Sequence, residues 1–256
     1  MSTTSTITRL LASALLFLTA QTSRAVTLNW NTISGTAGDW VAGSNSGAFE
    51  VDGTNSGNDI SISIVQVNAD PWTAGYPQNV QNGASTVGNN DQHYLQLRTP
   101  GMVDTTRSFV VTITFNYTGG VYASFGLIDV DSATGAAGWI DNITNITGNS
   151  GTVAMNVGAS AANTLSGSGL GVSVAGNTAV GNITDHSGDV SVSSGTSKVT
   201  SITFTWSNPG PNFGGQVISL SNIVFFTTPE IGSSLGALGS CAALAAFTRR
   251  RRQAVV

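Results

Sequence analysis

Alternating apolar and polar residues dominate the middle of the chain. The segment 108–117 places apolar and aromatic side chains on one face and Ser, Thr and Asn on the other, and 121–131 repeats the pattern. A period of two predicts β-strands with one buried face. Thr118-Gly119-Gly120 lies between these segments, so the pair is expected to form a β-hairpin.

The same pattern predicts further strands between the termini, where no segment keeps a helical period. Their ranges are 26–31, 48–52, 60–68, 94–98, 138–147, 198–207 and 216–226. Within 60–68 the apolar phase shifts between Ile64 and Val65, which predicts a β-bulge. Many short strands separated by Gly, Asn, Ser and Pro predict an all-β fold, an antiparallel two-sheet β-sandwich that is jelly-roll-like in preference to immunoglobulin-like.

Residues 148–196 differ from their surroundings because they contain no aromatic side chain and are rich in Gly, Ser, Ala, Asn and Thr. Alternating pieces such as 171–174 and 190–192 predict small strands at a sheet edge, with a long flexible excursion as the alternative. A second domain is not expected, because the segment has too few large apolar residues to bury its own core.

Charge is scarce, at 9% of residues, and this excludes a coiled coil. Between residues 26 and 228, three basic side chains stand against twelve acidic ones, a formal net charge of −9. This composition argues against nucleic acid or anionic lipid as a partner, because phosphate binding needs clustered cations. The single cysteine, Cys241, lies near the C-terminus, so no disulfide is expected in the middle region.

The N-terminus has the order of a secretory signal. Arg9 precedes the apolar run 10–20, and Ser23 and Ala25 supply the small residues of a cleavage site before Val26. We therefore expect a signal helix in residues 1–25, removed by signal peptidase. A buried N-terminal helix is the alternative, although no amphipathic face marks one.

The C-terminus combines a Pro-Glu pair, a short apolar run and an arginine cluster. Pro229 and Glu230 precede the uncharged run 231–247. At ~1.5 Å per residue, a helix of this run reaches about 25 Å, marginal for a hydrocarbon layer of about 30 Å. The positive-inside rule keeps the following cluster cytoplasmic; it consists of Arg249, Arg250, Arg251 and Arg252.

This layout resembles the PEP-CTERM sorting signals of bacterial surface proteins, in which a Pro-Glu-Pro motif, a short membrane segment and an arginine cluster are recognised by an exosortase. Ile231 replaces the second proline. The resemblance implies transient membrane anchoring and processing by an exosortase-like enzyme. Cys241 also resembles other tripartite sorting tails with a different processing enzyme, and an ordinary C-terminal membrane anchor is the alternative that needs no protease.

These features divide the chain into a signal peptide (1–25), a single β-sandwich domain (26–228) and a sorting tail (229–256) with a short transmembrane helix. The expected location is the cell surface, the outer envelope or the extracellular matrix.

Three aspartates form the most chemically distinctive local pattern. Asp129 and Asp131 share one side of an extended strand end, on the face of Phe125 and Leu127, and Asp141 follows ten residues after Asp131. Carboxylates without nearby basic residues favour calcium, a hard cation that takes oxygen ligands. The EF-hand spacing is absent, and solvated loop aspartates are the alternative.

The segments FGLIDVD and GWIDNIT resemble a recurring Asp-Ile-Asp and Trp-x-Asp pattern in uncharacterised β-sandwich domains of secreted bacterial proteins, and ITFTWSN with QVISLSNIVFF resembles their closing strands. The resemblance spans residues 108–226. It implies a surface or matrix domain and transfers no catalytic residue.

Aromatic residues in a loop are candidates for sugar binding. Trp72 and Tyr76 lie in 70–77, which the sequence predicts to be a loop, and aromatic planes stack on the apolar faces of sugars. A loop tryptophan that closes the end of the sandwich is the alternative. Trp139 and Trp206 are expected in the core.

No catalytic constellation is recognisable. His93 and His186 lack a partner pattern for nucleophilic catalysis, and zinc would need more His or Cys ligands. Asp39, Glu50 and Asp52 surround a short strand with nothing to separate their pKa values, as a glycosidase would require.

The sequence therefore favours an exported non-enzymatic surface or extracellular-matrix protein. A cell-surface carbohydrate-binding module, with extracellular polysaccharide as its partner, is the first alternative, and a glycan-active hydrolase is the second.

Overall fold

Sixteen strands make up the described part of the computed structural model, which covers residues 25–33, 40–54, 57–68, 72–81, 93–102, 104–133, 138–177, 188–210 and 214–227. A short 3-10 helix occupies Gly169–Gly171. The strands are β1 (Val26–Leu28), β2 (Ser46–Phe49), β3 (Ile60–Val67), β4 (Gln78–Gln81), β5 (His93–Thr99), β6 (Ser108–Phe115), β7 (Tyr122–Ile128), β8 (Asn142–Gly148), β9 (Val153–Ala154), β10 (Asn156–Ala159), β11 (Asn163–Ser166), β12 (Ser173–Gly176), β13 (Val190–Ser193), β14 (Ser201–Ser207), β15 (Gln216–Leu220) and β16 (Ile223–Phe226).

The strands pair antiparallel in two sheets. The first sheet has the order β1-β16-β7-β15-β5-β4, in which β16 and β15 pair with successive parts of β7. β13 also pairs with β7, and β10 pairs with β13. The second has the order β11-β12-β8-β14-β6-β3-β2, with β9 beside β8. This arrangement confirms the predicted all-β, two-sheet antiparallel sandwich.

The core lies between the inner faces of the two sheets, because the long strands bury alternate residues. β6 and β14 keep this alternation along their whole length. Phe109 of β6 and Trp206 of β14 are fully buried, with ring centroids 5.4 Å apart. Burial of such side chains, at about 25 cal/mol per Å² of apolar area, is the main stabilising contribution.

The hairpin predicted for 108–117 and 121–131 is wrong. β6 lies between β3 and β14 in the second sheet, whereas β7 lies at the centre of the first. Gly119 and Gly120 both have positive φ, and their turn carries the chain from one sheet to the other. Alternation identifies a strand with one buried face but does not identify its neighbours.

The bulge predicted in 60–68 is also wrong. β3 pairs with β6 in one continuous register, from Ile60↔Phe115 to Val67↔Ser108. Val65 is simply an exposed apolar residue, with 59% of its surface accessible.

The aromatic-free region contributes strands to both sheets. β10 and β13 belong to the first sheet, and β11 and β12 belong to the second. Val174, Val190 and Val192 are buried in the same core cluster as the aromatic residues of the long strands. The predicted short strands are therefore present, and they complete the sandwich.

Residues Ala25–Thr227 form one compact unit whose first and last strands are neighbours. β1 pairs with β16 through Val26↔Phe225, Thr27↔Val224 and Leu28↔Ile223. Both ends of the unit therefore leave the first sheet side by side.

The predicted terminal segments lie outside the described residues. These are residues 1–24 of the signal peptide and 228–256, with the predicted sorting residues Pro229, Glu230, Arg249, Arg250, Arg251 and Arg252. Within the described ranges, the structure contains no helix with the length and apolar character needed to span a bilayer.

Candidate functional site

Four aspartates lie where strands of the two sheets meet. Asp129 and Asp131 follow β7 of the first sheet, and Asp189 directly precedes β13 of the same sheet. Asp141 directly precedes β8 of the second sheet. We call these four residues the aspartate junction.

Backbone hydrogen bonds hold the segments of the junction together. The Val130 amide donates to the Gly188 carbonyl at 3.0 Å, which joins the segment after β7 to the segment before β13. The Asp141 amide donates to the Asp131 carbonyl at 2.9 Å, and the Gly176 amide donates to the Asp141 carbonyl at 2.9 Å. These backbone hydrogen bonds hold the segments that carry the carboxylates next to one another and join the two sheets at this point.

Asp141 is fully buried and accepts hydrogen bonds from three groups. Trp206 Nε1 donates to Oδ1 at 2.8 Å, and Gln216 Nε2 donates to the same oxygen at 3.2 Å. The Asp131 amide lies 3.4 Å from Oδ2. Burial raises the pKa of Asp141 well above its ordinary value; the Trp206 bond opposes this shift, and the charges of Asp131 and Asp129 add to it.

Gln216 contacts the junction through its carboxamide nitrogen. Its side chain is 1% exposed, and its carboxamide nitrogen is bonded to Asp141. The carboxamide oxygen Oε1 is buried and accepts no hydrogen bond. A buried acceptor without a donor costs free energy, typically about 1–3 kcal/mol, so this oxygen needs explanation.

Asp129 has a left-handed backbone conformation and a raised pKa. Its φ is +67°, a left-handed conformation that Asp tolerates better than most residues and that interrupts the strand alternation. Burial, then the charges of Asp131 and Asp189, raise the pKa of Asp129 to about 7.

The interruption at Asp129 changes which residues face the interior. Val130, expected on the opposite face from both aspartates, is fully buried, and Asp131 is also buried at 7% exposure. The prediction that strand alternation continues through Asp131 is therefore wrong. The Asp141 amide bonds to the Asp131 carbonyl, so the two segments are neighbours, but the carboxylate oxygens of Asp129, Asp131 and Asp141 do not converge as a metal site requires.

Each lysine and arginine side chain of the described ranges has a contact with a residue outside the aspartate junction. Arg98 stacks over the Tyr76 ring at 5.7 Å, and Lys198 lies 5.7 Å from the Tyr122 ring centroid. Arg107 pairs with Asp104.

The sequence prediction missed Asp189 and Gln216. Asp189 lies in the Gly- and Ser-rich region, where its neighbours suggested no rigid site, and Gln216 opens a strand that the pattern assigned to the core. The sequence signal for Asp189 was its position immediately before Val190, a buried strand residue, and no comparable signal marked Gln216.

A second carboxylate group lies at the end of β2. Oxygens of Glu50, Asp52 and Asp59 fall within 4.8 Å of one another. Within the described part of the chain, the predicted calcium residues Asp129, Asp131 and Asp141 do not form such a group. Asp59 accepts from the amides of Val51 and Asp52 at 2.7 and 2.9 Å.

Hydrogen-bond donors surround this second group. Glu50 accepts bonds from the amides of Gly53 and Thr54. Hydrogen bonds from Thr54 lower the pKa of Asp52, so this carboxylate is not the raised-pKa acid that glycoside cleavage requires. Asp39 lies outside the described residues.

Trp72 closes one end of the sandwich. Its ring stacks on Phe109 with centroids 4.1 Å apart, and its Nε1 donates to Asn45 Oδ1 at 2.6 Å. Tyr76 is half-buried beneath Arg98, whose carbonyl accepts a bond from the Thr73 amide. Trp72 and Tyr76 therefore lie on one corner of the fold, with one Trp72 face already occupied.

The remaining aromatic and histidine predictions have mixed outcomes. Trp206 is fully buried, as expected, and Trp139 is only partly buried. His93 Nδ1 lies 3.3 Å from Asn79 Oδ1, and His186 is outside the described residues. The His93 contact is with a neutral amide, so it provides no acid–base pair.

No protein-family model matches the chain, and no curated protein matches it. Two solved structures are similar. One is the N-terminal domain of the Streptococcus gordonii adhesin Sgo0707, at 12% identity and a TM-score of 0.38, covering 83% of this chain and 60% of that one. The other is a family 11 carbohydrate-binding module from Clostridium thermocellum in complex with a β-1,3-1,4-mixed-linked tetrasaccharide, at 11% identity and a TM-score of 0.29, covering 82% and 98%. The chain thus spans about 60% of the adhesin domain's length, and similarity at this level identifies no ligand.

Proposed function

We propose that this chain is an exported, non-enzymatic protein of the cell surface or extracellular matrix, delivered by its signal peptide and processed through its PEP-CTERM-like tail. The observation that carries the proposal is the pairing of β1 with β16 at the ends of the unit Ala25–Thr227. β1 starts at Val26, the first residue after the predicted signal cleavage, and β16 ends three residues before Pro229.

This arrangement makes both processing events compatible with the fold. Cleavage after Ala25 removes no strand residue, and cleavage near Glu230 leaves β16 paired with both β1 and β7. A C-terminal anchor would follow β16, which pairs with β1, the strand that follows the predicted signal peptide.

The chemistry of the described residues supports a non-catalytic role. Asp141 and Asp129, whose pKa values are raised, belong to a mostly buried junction, and the more accessible Asp52 has a lowered pKa. An acid–base pair for glycan hydrolysis needs both kinds of carboxylate at one accessible cleft.

Intact-mass measurement of the protein recovered from an exporting bacterial host with an exosortase tests the proposal. The expected product lacks residues 1–25 and the arginine cluster, and Pro229→Ala with Glu230→Ala blocks the C-terminal loss. Persistence of Arg249 to the end of the wild-type chain would contradict processing and indicate a plain membrane anchor.

Carbohydrate binding is a second candidate function, favoured by the shared position of Trp72, Tyr76 and Arg98. An aromatic ring beside a guanidinium offers stacking and hydrogen bonding to a sugar. Tyr76→Ala is a cleaner test than Trp72→Ala, because Trp72 also packs on Phe109.

Polysaccharide pull-down with the full chain is expected to lose binding in Tyr76→Ala and in Arg98→Gln, while Tyr122→Ala on another part of the first sheet retains it. If all three variants bind the polysaccharide as well as the wild type does, the corner that carries Trp72, Tyr76 and Arg98 is not the binding site.

A further inference from the structure

We propose that the edge strand β11 docks on β11 of a second copy of this chain, so that the second sheet continues antiparallel from one sandwich into the next. The contact would use the outward-facing backbone of Leu165, with the exposed apolar side chains of Leu165 and Leu170 beside it. This association goes beyond export and processing and does not depend on either.

β11 has a described partner on one side only. It is the last strand of the second sheet and pairs with β12, with Leu165 opposite Val174. The Asn177 amide donates to the Ala162 carbonyl at 2.9 Å, which makes Ala162 and Asn177 a hydrogen-bonded pair of this ladder. Such pairs recur at every second residue of an antiparallel ladder, so the amide and the carbonyl of Leu165 point away from β12.

The first sheet ends beside the same edge. β10 pairs with β13, has no described strand on its other side, and is joined to β11 by residues 160–162. The Ser160 amide donates to the Asp189 carbonyl at 3.1 Å in the register of β10 and β13. The same alternation therefore turns the backbone groups of Val157 and Ala159 outward. We call β10, β11 and the connection 167–172 the open end.

Apolar side chains of the open end continue the core outward. Leu165 lies across the ladder from Val174, which is fully buried, so both side chains lie on the inner face of the second sheet. Leu165 keeps 46% of its surface exposed because β11 is the last described strand. Leu170, in the connection from β11 to β12, is 48% exposed. An edge strand with exposed apolar side chains and outward backbone groups is a template for pairing with another chain.

The distribution of charge favours a second copy at this edge. Residues 26–228 carry a formal net charge of −9, which opposes close approach of two copies over most of the surface. Residues 142–184, which include the whole open end, contain no Asp, Glu, Lys, Arg or His. Two copies can therefore meet at the open end without placing like charges opposite each other. Lysine and proline, which commonly protect edge strands from pairing, are absent from β10 and β11.

An antiparallel edge is also its own complement. A two-fold axis at β11 brings the outward amides of one copy to the outward carbonyls of the other, as a closed dimer requires. Each β11 strand has only four residues, so the interface is small. We therefore expect weak association, with a Kd on the order of 10–100 μM.

Sedimentation equilibrium of the full chain, in mild detergent with a reductant, provides the first test. The wild type should show a concentration-dependent equilibrium between monomer and dimer. Leu165→Lys places two like charges across the two-fold axis and should raise Kd at least tenfold. Val65→Lys is the matched control, because Val65 is 59% exposed on β3 and the same charge is added there. It should leave Kd unchanged, and both variants should keep the wild-type near-ultraviolet circular dichroism.

Hydrogen exchange on the wild-type chain tests the edge without any substitution. The Leu165 amide points away from β12, so its exchange should slow about threefold or more between a dilute sample and one well above Kd. The Thr164 amide faces β12 and should be protected equally in both samples.

Two results would overturn the proposal. One is a chain that stays monomeric at the highest concentration, with no added protection of Leu165, which would leave the edge to a strand of a different protein. The other is an association that Leu165→Lys and Val65→Lys affect equally, which would place the contact elsewhere, the apolar tail included.

Discussion

The hydrogen bond between Trp206 and Asp141 should make a measurable contribution to folding. Trp206→Phe keeps an aromatic ring in the core but removes the indole N–H that donates to Asp141 Oδ1 at 2.8 Å. Because Asp141 is fully buried, water cannot replace the lost donor. The remaining side-chain donor to that oxygen is Gln216, at the longer distance of 3.2 Å.

The expected loss of unfolding free energy has two parts. A hydrogen bond to a buried carboxyl group contributes about 1–3 kcal/mol, depending on whether the group is neutral or ionised. The smaller ring exposes or leaves empty about 40 Å² of apolar surface, worth about 1 kcal/mol at 25 cal/mol per Å². Trp206→Phe should therefore destabilise the protein by about 2–4 kcal/mol.

A double-mutant cycle separates these parts. Urea unfolding, monitored by circular dichroism, would be measured for the wild type, Trp206→Phe, Asp141→Leu and the double variant; leucine is close in size to aspartate and has no acceptor for the indole N–H. The packing loss cancels in the cycle, so the coupling energy should be about 1 kcal/mol or more. Phe109→Leu, which changes packing against Trp206 without removing the bond, should show little coupling to Asp141→Leu. A coupling below about 0.5 kcal/mol between Trp206 and Asp141 would refute the reasoning.

Three further outcomes follow from the same structure. Burial and the charges of Asp131 and Asp189 raise the pKa of Asp129 to about 7 from an ordinary value of 3.8, so this group should lower stability progressively as pH rises from about 4 to about 7. Asp129→Asn should therefore reduce, without abolishing, the fall of the urea midpoint over that range, because the raised pKa of Asp141 acts in the same direction. A methyl group at Gly176 would lie 2.0 Å from the Asp131 carbonyl oxygen, so Gly176→Ala should lower Tm strongly, while Gly171→Ala, which meets open space, should change it little. Because β3 pairs without a bulge, Ile64→Thr should destabilise the protein by about 2 kcal/mol and the exposed Val65→Thr by less than about 0.5 kcal/mol in urea unfolding.

The local sequence predicted which segments form β-strands, but it did not predict which strands pair with one another. Period-two alternation depends only on which face is buried, and it located β6, β7 and β14 well. Pairing depends on contacts between distant segments, such as Val192 of β13 against Phe125 of β7. A Gly-Gly turn is compatible both with a hairpin and with a crossing between sheets, so the sequence did not distinguish these outcomes.

The aspartate junction was partly predictable for a similar reason. Asp129, Asp131 and Asp141 are close in the chain, and their density was visible in the sequence. The positive φ of Asp129 could not be predicted from the sequence, because a single residue in a left-handed conformation produces no periodic pattern of apolar and polar residues. Asp189 and Gln216 reach the junction only through the pairing of β13 and β15 with β7.

The low charge of the chain and its threonine-rich strands have one structural cause. A half-buried strand needs a polar outer face, and in the second sheet hydroxyl groups supply it: Ser63, Thr112, Thr203 and Thr147 are successive register partners across β3, β6, β14 and β8. Threonine also favours strands through its β-branched side chain. Such a face stays solvated without ions, and a partly exposed pair such as Arg107 with Asp104 adds at most about 1 kcal/mol. Charge in this sandwich therefore matters most where carboxylates are buried close to one another, as they are at the aspartate junction.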